Sequence, residues 1–172
     1  MTEHGPAVSR LCVATAGGAG PLHSILESGG FYRLHLTTNP EEGTEYAVAT
    51  PGLDEVSLVS DLIDAIHERV ASTPGLRQPV FACFHVGIIK LTDDGFGGVG
   101  IGRVLALIRD PALAAFVSRR ATAADSGGGR PCLAVAITGR FFEDLRAEGL
   151  PGDDWQLVPV ADAWLRFLDA KS

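Results

Sequence analysis

Lysine is nearly absent from this chain: Lys90 and Lys171 are the only two in 172 residues, against twelve arginines. No basic run occurs anywhere, and the net charge is −7. Nucleic-acid binding depends on clustered Lys and Arg that displace condensed counterions, so this composition argues against a nucleic-acid partner. Cysteine is scarce too. Cys12, Cys83 and Cys132 each sit inside an apolar run, with no C-x-x-C pair and no Cys/His pair at ligand spacing. That pattern argues against a disulfide framework and against a structural zinc, and predicts buried, reduced thiols in a cytoplasmic protein with no bound metal. No apolar stretch reaches the roughly 18 residues a membrane span needs. The opening "MTEHGPAVSR" lacks the charged-then-apolar signal pattern. The shortage of lysine beside abundant Ala and Gly is what a GC-rich bacterial genome encodes; it speaks of source, not mechanism.

What is present is an ordinary globular composition, 46% hydrophobic and 20% charged, in a chain long enough for one cored domain spanning residues 1–172. "RLCVATAG" reads as a buried strand, "PLHSILESGG" as a short helix, and "FYRLHLTT" and "EYAVAT" as a hairpin around "NPEEGT". In "DEVSLVSDLIDAIHERVAST", Val56, Val59, Ile63, Ile66 and Val70 recur every three or four residues, giving one apolar stripe. Asp54 is its expected N-cap and Pro74-Gly75 its stop. "QPVFACFHVGIIKLT" has apolar residues at both parities, as a central strand does. Helical pieces follow from 99 to 109 and from Pro111 to about Thr122, then a flexible loop at 124–131. Strand 132–138, helix 139–149 and strands 155–160 and 163–168 complete the chain. The mixture of hairpins with alternating helices predicts an α+β fold, a ferredoxin-like mixed sheet with helices packed mainly on one face.

The segment "GFGGVGIGRVLALIRDPAL" holds five glycines in its first eight positions. Gly95, Gly97 and Gly100 satisfy G-x-G-x-x-G literally. A dinucleotide fingerprint, however, opens a chain's first strand-to-helix turn and has an acidic residue about twenty positions on, and neither condition holds here. No Lys-Ser/Thr follows the glycines, which excludes a P-loop. His85, inside "FACFHVGII", has apolar neighbours on both sides; a core or sheet-edge hydrogen bond competes with any ligand role. The carboxylates of "EEGTE" (41–45) read as a solvated hairpin tip.

The span from Gly43 to Phe167 resembles the class III nucleotidyl cyclase catalytic domain. The resemblance centres on "FHVGIIKLTDDGFGGVGIGRVLALIRDPAL", where the family has a strand with H-x-G, a polar turn and a glycine-flanked V-N-x-x-x-R helix. "AITGRFFEDLRAEGLPGDDWQLVPV…AWLRF" is similar to the family's next strand, its F-E-D helix and the closing hairpin. "GTEYAVATPGLDEVSLVSDLIDAIHERV" is similar to its G-D-G hairpin and amphipathic helix. The resemblance implies a nucleotide-cyclase-like fold, in which two carboxylates hold two metal ions. On this alignment the first falls at Thr15 and the second at Thr44, while the family's transition-state Asn and Arg fall at Gly102 and Ala106. All four positions lack the functional group. Residues 1–42 match least, because the family's first connection is longer.

The resulting expectation is a catalytically inactive cyclase-like domain acting as a ligand-binding or protein-interaction module, with no cofactor. The alternative is a divergent active cyclase using Glu41, Glu42 or Glu45, or one half of a heterodimeric cyclase. Any surviving pocket, a nucleotide its possible ligand, is expected around His85, Gly100, Gly102 and Arg103, where glycines permit close approach and a helix begins. Phe84, Phe96, Ile101 and Leu105, together with Phe81, are the expected apolar interface for a homodimer or a protein partner.

Overall fold

A computed structural model describes residues 7–17, 20–28, 31, 34–39, 43–50, 52–92, 95–124 and 131–170. In chain order the elements are β1 (Val8–Ala16), α1 (Pro21–Glu27), β2 (Leu34–Asn39), β3 (Thr44–Ala49), α2 (Glu55–Ala71) and β4 (Val80–Thr92). They continue with β5 (Gly95–Gly97), α3 (Val99–Ile108), α4 (Pro111–Ala124), β6 (Pro131–Thr138), α5 (Gly139–Ala147), β7 (Gln156–Val158), a 3₁₀ turn (Pro159–Ala161) and β8 (Ala163–Asp169). The loop expected at 124–131 and the carboxylates Glu41 and Glu42 lie, apart from its end residues 124 and 131, outside the described residues.

The sheet order is β2-β3-β1-β4-β6-β8-β7, with β5 folded back on the far end of β4. Every pairing is antiparallel except β4 with β6, which run parallel with Val80 beside Leu133 and Phe84 beside Ile137. The fold is the mixed α+β class the sequence predicts. Helices cover both faces. On one, α1, α2 and α5 pack over Leu11, Val13, Ala82, Phe84, Val135 and Ile137. On the other, α3 and α4 pack over Cys12, Ala14, Cys83, Ala134 and Ala136. The strict alternation along β1, β4 and β6 follows from the two-residue period of a strand buried on both sides.

Local chemistry sets the helix ends. Asp54 caps α2, accepting from the Ser57 backbone N–H at 3.1 Å and its hydroxyl at 2.8 Å. Asp110 restarts the chain into α4 by accepting from the N–H groups of Ala112 and Leu113. Cys12, Cys83 and Cys132 are buried free thiols. Burial pushes the Cys12 thiol up to about 12, so it stays protonated and acts as a small apolar side chain. Among the described residues, no helix is long and apolar enough to cross a membrane.

Candidate ligand-binding site

The strands β4 and β6 start level but do not end level. β6 stops at Thr138 and turns into α5, whereas β4 runs on to Thr92. The gap beyond the end of β6 is a cavity of about 410 Å³. Such crevices at the carboxyl ends of parallel strands are where open α/β sheets bind ligands.

His85 and Thr138 stand side by side on the α3 face of the gap, with Nδ1 of His85 and Oγ1 of Thr138 hydrogen-bonded at 2.9 Å. Thr138 is the N-cap residue of α5, yet its hydroxyl makes no cap bond, being engaged by His85. The His85 imidazole is half-buried, and its pKa is pushed below the ordinary value first by burial and then by the nearby Arg103 cation. It is therefore a neutral ring at pH 7. Arg103 reaches in from α3 and donates from Nη2 to the Ala161 carbonyl at 3.2 Å. Asp162, beside that carbonyl, has φ +48°, the one left-handed non-glycine among the described residues. Its backbone carbonyl accepts from the Gly139 N–H at 2.9 Å, and its carboxylate lies so close that a methyl at Gly139 would stand 2.5 Å from Oδ1. The opposite wall carries Glu55 from the first turn of α2 and Asp144 from α5, with Arg140 also lining the cavity.

Of the residues expected at a ligand site, the structure brings His85 and Arg103 into one cavity and leaves the two glycines out of it. Gly100 is buried and its backbone meets Gly87 of β4; the close approach that glycine permits is to the sheet, not to a ligand. Gly102 is on the exposed side of α3. The expected interface also needs correction. Phe84 is 0% exposed in the core beneath α2, and Ile101 is buried between α3 and the sheet, so neither reaches a partner. Phe96 and Leu105 are partly buried against the α3 side of the core, where Phe81 is also buried. The large apolar side chains that are exposed around this segment are Ile88 (51%), Leu91 (57%) and Val99 (75%). Glu55 and Asp162 belong to no sequence motif and Asp144 only to the F-E-D pattern of α5, which gave it no site role; the topology gathers them.

The positions that the cyclase resemblance assigns to metal carboxylates are Thr15 on β1 and Thr44 on β3. In the β1–β3 register Thr15 stands opposite Glu45, and Thr44 stands opposite Ala16. Thr44 therefore faces away from Thr15, and Glu45 shares its face, one residue off the sequence alignment. Glu45 is only 7% exposed. Its Oε2 accepts from the Thr15 hydroxyl (3.2 Å) and the Leu22 N–H (3.0 Å), and its Oε1 from the His23 N–H (3.1 Å). A carboxylate ringed by three donors and faced by one hydroxyl does not fit a pair of metal ions. Among the described residues, no three His, Cys, Asp or Glu side chains are grouped as metal ligands.

Comparison with protein-family models and with curated protein sequences finds no match to this chain. Among solved structures, it is similar to the "Adenylate/Guanylate Cyclase/Hydrolase from Silicibacter pomeroyi" at 15% identity and a TM-score of 0.49, over 95% of this chain and 100% of that one.

Proposed function

We propose that this chain is a ligand-binding domain that does not cyclise nucleotides, its ligand taken in the cavity between β4, α3 and α5. The observation that carries the non-catalytic part is the Thr15–Glu45 pair. Both oxygens of the Glu45 carboxylate are turned inward onto α1 and β1. Metal-assisted attack by a ribose hydroxyl requires open carboxylate lone pairs at that place. The binding part is supported by the cavity itself, where Arg103, among the described residues, has one of its five donors committed and stands beside the His85 ring. Purified protein incubated with each nucleoside triphosphate and Mg²⁺ or Mn²⁺ is expected to give no cyclic product. Turnover that disappears in Thr44→Ala or Glu45→Gln overturns this reading.

A role in assembly is supported by a separate observation. Ile88, Leu91 and Val99 are exposed along the far end of β4 and the start of α3, where β5 folds back. Exposed apolar groups gathered on one arm suit a protein contact, and a second copy of the chain is the simplest occupant.

A further inference from the structure

We propose that the cavity's ligand is a small aminocarboxylate, its anionic end on Arg103 and its cationic end between Glu55 and Asp144. This rests on the ligand-binding reading above and names the class of molecule bound. The two walls differ in charge: one cation on the α3 side, and two carboxylates with Arg140 on the α2/α5 side. On the α3 side stands the Arg103 guanidinium, with one hydrogen bond, to Ala161, and the His85–Thr138 pair beside it adding polarity but no charge. On the α2/α5 side stand Glu55 and Asp144. Among the described residues neither side chain has an ion pair or a hydrogen bond; Glu55 is half-buried and Asp144 exposed. Burial raises the Glu55 carboxyl first, and the neighbouring carboxylates of Glu148 and Asp144 raise it further. Arg140, one turn before Asp144 on α5, also lines the cavity but pairs with neither carboxylate among the described residues, so the two carboxylates still gain from a positively charged group placed between them.

Each pole, taken alone, accepts the corresponding ion. A ligand carrying one charge, however, desolvates the facing pole and leaves it without a partner, which costs affinity. A ligand carrying both charges satisfies both walls, and the unmet pole discriminates against single-ended molecules. The overall charge argues against a polyphosphate. Glu55, Asp144 and Asp162 outnumber Arg103 and Arg140 by one, so a multiply charged anion enters a cavity that is already net negative. The volume of about 410 Å³ is in the range of metabolite sites and equals the liquid volume of about fourteen waters.

Calorimetry on the full chain at pH 7.5 tests this with three sets of probes. They are α- and ω-aminocarboxylates of increasing length up to 6-aminohexanoate, the single-ended hexanoate and hexylamine, and inorganic phosphate with mononucleotides. At least one aminocarboxylate is expected to bind tenfold or more tightly than either single-ended analogue. Arg103→Gln and Glu55→Gln are each expected to reduce it to the single-ended level, with Asp144→Asn as a second probe of the cationic end and unchanged melting confirming the fold. If hexanoate, phosphate or a nucleotide binds as well as the best aminocarboxylate and depends on Arg103 but not Glu55, the ligand class is overturned while the binding role stands. If no probe binds at millimolar concentration, both readings fail.

Discussion

Gly87 of β4 and Gly100 of α3 meet backbone against backbone: a methyl on Gly87 would stand 2.6 Å from the Gly100 Cα and 2.8 Å from the His85 Nε2. This contact seats α3 on the sheet, and with it Arg103. It also leaves room for the His85 ring on the same strand face two residues back.

Gly87→Ala is therefore expected to destabilise by about 1–3 kcal/mol, since the added methyl strikes backbone that cannot step aside without moving the helix. Gly102→Ala, two residues further along α3 with no atom within 4 Å of the new methyl, is expected to stabilise by up to about 1 kcal/mol through helix propensity. Chemical denaturation of the two variants gives opposite signs if this packing is right.

Removing the Glu45 carboxylate strands three donors in a buried place. Glu45→Ala is expected to cost about 1–3 kcal/mol per the penalty for unsatisfied buried groups, and Thr15→Val about 0.5–1.5 kcal/mol for one lost hydrogen bond. Hydrogen exchange at the Leu22 and His23 amides should accelerate in the first variant and change little in the second.

His85 couples the site to pH. Its folded-state pKa lies below the ordinary 6.5, so the unfolded chain takes up a proton that the folded chain resists. The stability linked to this ring is complete above about pH 6.5 and declines as pH falls through that value toward the folded-state pKa. Arg103→Gln removes the second cause of the shift. In an NMR titration the His85 midpoint is expected to move up toward 6.5 in the variant, while burial alone still holds it below.

For assembly, light scattering at micromolar concentration is expected to give twice the 18.0 kDa chain mass. Val99→Asp and Leu91→Asp, on exposed positions, are expected to return the protein to a monomer with little change in melting temperature. A wild-type monomer would reject the homodimer and leave the arm to a different protein.

Strand and helix positions were largely legible because their signals are local. The α2 stripe, the Asp54 cap and the Pro111 restart each depend on residues a turn apart. Which face a residue serves was not legible. "VFACFHVG" is apolar at both parities, so nothing in it reveals that Phe84 points to α2 while His85 points to α3. The same ambiguity separates Thr44 from Glu45, because a slip of one residue in register exchanges the two faces. Half of the cavity was invisible for another reason. Glu55, Asp144 and Asp162 meet His85 and Arg103 only because β6 ends early, and chain order says nothing about where a parallel neighbour stops.

Strand β1 is enclosed on both edges, by β3 on one side and β4 on the other. Residues Val8 to Ala16 cannot find their second neighbour until synthesis has passed Ile89, their last partner on β4. During that interval the segment carries a strand with an apolar centre, Leu11 to Ala14, and an open edge, the form most prone to pairing with another chain. Nascent or truncated products ending before β4 are thus the aggregation-prone species of this protein, and chaperone demand in its biogenesis falls before β4 is made.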